Sequence, residues 1–227
     1  MQQVNNRRLR RREVATGLII ILVVFSYIAS LLLDFNFVSP YATLQEDLSY
    51  LSEQMNSQKV SAYAWLASAG FTLLSLPFFL MVFHGRIILL HYLNGLFMVG
   101  ATLAFIMMWR LEMDLHRSMA VMMDNGVEQV GEEGKIALLQ LVRQVRLYRY
   151  IGSSCVGLFA IGLGLTKFRL GRFPLFSTGL LFLSGPVLIF FNWYDPTHLA
   201  RTAALAGIMI GVVVFCVRLI NKGLTRE

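Results

Sequence analysis

Charge is scarce in this chain. Only 15% of its 227 residues are charged, against about 25% in an ordinary soluble domain. That scarcity excludes a separate soluble domain, because no polar stretch is long enough to enclose a core of its own. Cysteine is rarer still. Cys155 and Cys216 each lie within an apolar run, which excludes a disulfide framework or a cysteine-built zinc site and leaves two small buried hydrophobes. The CxxC, HExxH, GxGxxG and Walker glycine-loop patterns are all missing, and with them the chemistries those spacings serve. Neither a low-complexity stretch nor a repeat with a period of about 20–50 residues is visible.

What remains is largely apolar. Hydrophobic residues make up 56% of the chain and are gathered into six runs at residues 16–33, 62–83, 87–109, 147–166, 173–193 and 202–220. Each has close to the ~20 residues that cross a ~30 Å hydrocarbon layer. Backbone polar groups in lipid must be satisfied within the segment, so these runs are expected to be helices. The basic "NNRRLRRREVATG" before the first run suggests a signal peptide. That run is long and lacks a small-x-small cleavage site, so it reads as a retained first span.

The net charge of +7 follows this topology. With the N-terminus inside, the inner segments carry 12 basic residues and two acids, Glu13 and Glu227, leaving 8 basic and 11 acidic residues outside. The excess is cytoplasmic anchoring, not a nucleic-acid surface. Both termini fall on the inner side. Trp65, Trp109, Tyr148, Tyr150, Trp193 and Tyr194 lie near predicted outer ends, where amphipathic rings favour the interface. Pro77 and Gly185-Pro186 are expected to kink their helices.

The outer segments are amphipathic. Residues 40–56 start with a Ser39 cap and Pro40, and carry Leu44, Leu48, Leu51 and Met55 on one stripe, as a surface helix would. Residues 110–146 read as a helical hairpin. Met108, Leu111, Leu115, Met119 and Met122 form one stripe, and Ile136, Leu139, Val142 and Val145 the other. Asp124-Asn125-Gly126 should end the first arm. Together these helices are expected to form a cap outside an all-α, six-span membrane protein.

Candidate chemistry is thin. None of the six runs holds Asp, Glu or Lys in its interior, which counts against ion-coupled transport. His91 and Asn94 are the intramembrane polar residues, expected to hydrogen-bond a neighbouring helix. Outside, Glu112 and His116 share a face at i, i+4, and Asp195 and His198 on the last outer loop could join them in a metal or hydrogen-bonded site. The simpler reading is a solvated rim. The methionine-rich outer segment suits flexible core filling better than copper. Arg143, Arg146 and Arg149 precede the fourth span, and with Arg201 they could hold an anion or lipid headgroup. Small-residue ridges at Ala203, Gly207 and Gly211, and at Ala160 and Gly164, allow close helix approach, within one subunit rather than in a homodimer.

The stretch "GLFAIGLGLTKFRLGRFPLFSTGLLFLSG", Gly157 to Gly185, has a glycine-rich span followed by a short basic turn with a proline and another span. With the overall layout, it resembles a family of uncharacterised bacterial multi-pass membrane proteins, a domain of unknown function. The resemblance implies a bacterial cytoplasmic membrane location and brings no activity. The leading expectation is a non-enzymatic membrane protein, without cofactor or bound metal, that binds a lipid, small amphiphile or partner protein. A transporter or channel comes second, and an interfacial, metal-dependent enzyme third.

Overall fold

The computed structural model describes residues 2–34, 55–82, 88–125, 132–170, 175–194 and 199–225. Every described element is an α-helix: α1 (Gln2–Asp34), α2 (Met55–Val82), α3 (Ile88–Asn125), α4 (Glu132–Leu170), α5 (Leu175–Tyr194) and α6 (Leu199–Thr225). Five of them, α2 to α6, are long and apolar enough to cross a membrane. In α1 the described apolar stretch is the shorter Glu13–Tyr27, and the basic segment before it is helical too. The outer helix expected over residues 40–56 lies outside the described residues, except that Met55 and Asn56 open α2.

Each helix packs on its neighbours in the chain, and α6 packs back on α1. The result is a closed ring of six helices in alternating directions. Small residues bring the walls together. A Cβ on Gly207 or Gly211 would collide with Ser184 or Leu181 of α5, and one on Gly17 of α1 would meet Ile220 and the Cys216 carbonyl of α6. The ridge on α6 is thus used inside the subunit, although Ala203 itself faces outward. Leu89, Leu183, Phe168 and Phe176 are 69–74% exposed on the outer surface of the ring, as lipid-facing residues must be.

Hydroxyls in this apolar interior satisfy themselves on their own helices. Ser30 Oγ donates to the Ser26 carbonyl (2.8 Å), Thr72 Oγ1 to Ser68 (2.7 Å), Thr102 Oγ1 to Met98 (2.9 Å) and Thr166 Oγ1 to Gly162 (2.8 Å). Ser30 and Ser68 also meet across α1 and α2 at 2.9 Å.

With 38 and 39 residues, α3 and α4 are each roughly 55–60 Å long at 1.5 Å per residue, about twice the hydrocarbon thickness. The hairpin read over residues 110–146 falls, where described, on the continuations of these two helices, and the described part of α3 runs to Asn125. Its seam needs one correction. Leu111, Leu115, Met119, Val142 and Val145 are buried, but so is Leu138, whereas Ile136 is 52% exposed and Leu139 half-buried. Leu138, Val142, Val145 and Arg149 continue the buried face of the span below. That face fixes the rotation of the outer arm.

Two more expectations fail on burial. Trp65 is fully buried and is no interface anchor: it belongs to the stripe Ser61, Trp65, Ser68, Thr72, Ser75 that faces the ring axis. Trp193 and Tyr194 are 53% and 76% exposed. Lys167 was expected in the turn between the fourth and fifth spans. Helix α4 instead continues to Leu170 and carries Lys167 inside, 1% exposed.

Candidate binding site along the bundle axis

At the centre of the ring lies an apolar cavity of about 80 Å³. Five helices line it, with Val24 and Tyr27 from α1, Thr72 from α2, Ala101 and Phe105 from α3, Val156 from α4 and Ile208 from α6 among the contributors. Its size is about half that of the roughly 150 Å³ apolar cavities that bind benzene.

Aromatic rings cluster toward both ends of the cavity. Toward the outer hairpin, Tyr27 packs against Trp65 and Phe105 with ring centroids 6.0 and 5.5 Å away, and Trp65 lies 5.0 Å from Phe105. The Tyr27 hydroxyl donates to Ser153 Oγ at 3.4 Å, a long bond that joins α1 to α4 across the axis. Toward the other end, Phe79 packs on Phe159 at 5.6 Å and stacks on His91 at 5.1 Å and 22°.

His91 and Asn94 do what the sequence suggested. His91 Nε2 lies 2.9 Å from the Leu80 carbonyl. A carbonyl can only accept, so Nε2 carries the proton. Leu80 lies in the last turn of α2, where backbone carbonyls lack helical donors, and His91 therefore caps the neighbouring helix. Asn94 Nδ2 donates to Thr166 Oγ1 at 3.4 Å.

Lys167 is the polar residue the sequence reading missed. Its ammonium donates to the Gly211 carbonyl of α6 at 3.1 Å and to Ser177 Oγ of α5 at 3.3 Å, and lies 5.3 Å from the centre of the Phe215 ring. One cation thus ties three helices. The signal available was the helical spacing Ala160, Leu163, Thr166–Lys167, which keeps residue 167 on the buried side if the helix does not stop.

The outer candidates divide by burial. Glu112 (1% exposed), Arg149 (9%) and Arg201 (7%) are inside the fold, and each is engaged there in a polar or electrostatic contact. Arg143 is exposed, and Arg146 and His116 are half-buried. A step of three residues turns a helix by about −60°, so Arg149 reaches the interior while Arg143 points away. Asp195 and His198 lie outside the described residues. Among the described residues no group of three or more His, Cys, Asp or Glu could hold a metal ion.

Glu112, Arg149 and Arg201 also lie on the stripes that line the cavity. Glu112 follows Ala101, Phe105 and Met108 on α3. Arg149 is one turn before Ser153 on α4, and Arg201 is one turn before Leu205 on α6.

No family model, curated protein or solved structure matches this chain. The functional reading therefore rests on its own geometry. Along the axis, an apolar chamber lies between a buried charged layer on the hairpin side and a layer of interhelical polar clasps on the other.

Proposed function

We propose that this is a six-span, non-enzymatic protein of a bacterial cytoplasmic membrane, with both termini cytoplasmic, that binds a lipid or small amphiphile inside its helical ring. The observation that carries this reading is the apolar cavity on the axis, built by five helices from side chains that leave space a close-packed interior would fill. The cavity accommodates the end or branch of an alkyl chain, not a whole lipid. The family resemblance and the basic inner segments support the location and orientation. In this reading α1 is the sixth span, and residues 40–56 cover the outer hairpin as a cap. The buried Lys167 favours a second reading, that the bound molecule is also moved across the membrane, because ionisable groups within a span are usually kept for function.

The test is to fill the cavity. Ala101 is 5% exposed and lines it. Ala101→Phe should abolish thermal stabilisation by dodecanol in purified full-length protein, with the ligand-free melting temperature unchanged or raised, because the new ring occupies existing space. If dodecanol stabilises both proteins equally, the cavity is not the binding site. If it stabilises neither, the cavity is a packing void.

A further inference from the structure

We propose that the bound molecule presents a carbonyl oxygen, as a ketone or ester does, to Trp65 and Ser61 just beyond the hairpin end of the cavity. This rests on the amphiphile-binding reading and adds the chemistry of the head. Three observations meet here. The first is a pair of donors without an acceptor. Ser61 Oγ and Trp65 Nε1 have no hydrogen-bond partner among the described residues, and the two residues are 1% and 0% exposed. They stand four residues apart on α2, a spacing that puts their Cβ atoms about 5–6 Å apart on one helix face. Buried hydroxyl and indole groups ordinarily find a partner, so two together call for one from outside the fold.

The second is place. The Trp65 ring centroid lies 5.0 Å from that of Phe105 and 6.0 Å from that of Tyr27, and Phe105 and Tyr27 both line the cavity. The donors are therefore one ring away from the chamber. Helices α2 and α3 run antiparallel, since Leu80 meets His91 and Trp65 meets Phe105. One turn beyond that last contact, Ser61 on α2 comes level with Trp109 on α3, whose Nε1 is also buried without a hydrogen-bond partner. The only contact between head and tail is that of Tyr27 with Phe105, 5.5 Å between centroids. The Tyr27 hydroxyl bond to Ser153, at 3.4 Å, is long for an O–H donor, so Tyr27 is the ring that yields when a chain runs from the chamber to Trp65.

The third is the balance of donors and acceptors. An indole nitrogen only donates, and a hydroxyl brings one hydrogen. A water or an alcohol placed here would accept from them but add hydrogens that need acceptors of their own. A carbonyl oxygen adds none and has two lone pairs, enough for Trp65 and Ser61 together. Glu112, three residues beyond Trp109, is already engaged within the fold, and its contacts leave both donors unmet.

The experiment compares 2-dodecanone with dodecane on the full-length protein in neutral-lipid nanodiscs, read by competition with a fluorescent alkyl probe. The ketone is expected to compete about fivefold more strongly at equal content in the bilayer, the effect of one or two net hydrogen bonds. In Ser61→Ala with Trp65→Phe, which keeps a ring against Tyr27 and Phe105, that advantage is lost while dodecane competes as before. Should this variant fail to fold, the indole N–H resonances of the wild type decide. The chain has three tryptophans, and Trp193 already donates to Ser154 Oγ at 2.8 Å. The ketone should move the Trp65 resonance downfield and leave that of Trp193 in place, with assignments from Trp109→Phe and Trp193→Phe. Equal competition by ketone and alkane, or a Trp65 resonance that the ketone does not move, overturns the carbonyl head and leaves the cavity reading intact. Acetone moving that resonance as far as 2-dodecanone also overturns it, since the chain would then be irrelevant. If neither molecule displaces the probe, the cavity reading falls, and the head assignment with it.

Discussion

Gly185→Leu is expected to prevent the ring from assembling. Gly157 of α4 and Gly185 of α5 face each other where the two helices cross. A Cβ on Gly185 would fall 2.7 Å from the Gly157 carbonyl oxygen and 2.5 Å from Ile161 Cγ1, and one on Gly157 would fall 2.9 Å from the Gly185 carbonyl oxygen. Two of these obstacles are backbone, which cannot rotate aside, so any side chain must push the helices apart. Overpacking by one or two carbons costs about 1–3 kcal/mol, the range expected for Gly185→Ala. Leucine exceeds what separation can absorb without losing the neighbouring contacts of Gly164 with Thr178 and Phe182. Gly70 is the control, since a Cβ there meets nothing within 4 Å. Gly70→Ala should be neutral or stabilise by up to about 1 kcal/mol, the usual gain from removing a mid-helix glycine. Thermal unfolding of the purified proteins, followed by size-exclusion chromatography, checks both. A well-folded Gly185→Leu protein would mean that α4 and α5 do not cross here.

Lys167→Glu is expected to be nearly as damaging. The ammonium donates to the Gly211 carbonyl and Ser177 hydroxyl on two other helices. A carboxylate in its place would set an anion against the Gly211 carbonyl oxygen and the face of Phe215, both electron-rich, with little water to screen them. Lys167→Met isolates the charge from the volume. It keeps an unbranched chain against Phe215 and removes the desolvation cost of the ammonium, and replacing a buried charge by an apolar group of similar size is often close to neutral. Lys167→Ala should cost about 2–4 kcal/mol, because it also leaves a cavity. The expected stability order is wild type and Met above Ala, and Ala above Glu, measured by thermal unfolding in one detergent. Glu matching Met would place the side chain in solvent.

Much of this architecture was readable because bilayer thickness and backbone satisfaction constrain sequence strongly. The helical character of the described runs, five of them long and apolar enough to span a membrane, and the hydrogen bonds of His91 and Asn94 to neighbouring helices follow from patterns that no tertiary contact overrides. The rotation of each helix was harder to read. Trp65 looked like an interface ring because it lies near an apolar boundary. Its partners at four- and three-residue spacing, Ser61, Ser68, Thr72 and Ser75, are small and polar in an otherwise greasy helix, and they mark the side that turns from lipid. Lys167 was obscured by its neighbours: Arg169 and Arg172 give "KFRLGR" the composition of a turn, and helix propensity alone does not say that α4 continues through it. The candidate site was legible as residue types but not as a set. Arg143, Arg146 and Arg149 look equivalent in sequence, and only the packing of α4 in the ring selects Arg149, 9% exposed. Glu112 was paired with His116 by spacing, whereas its burial groups it with the arginines.

The central claim is that an alkyl chain enters the ring. Photolabelling with a diazirine at the end of a dodecanoate chain tests it directly, in membranes containing the full-length protein, with the labelled positions mapped by peptide mass spectrometry. Label at cavity residues such as Met98, Cys155 and Met209, displaced by excess dodecanoate and lost in Ala101→Phe, is the predicted result. Label confined to outward-facing residues such as Leu89 and Leu183, and indifferent to competitor, would contradict it.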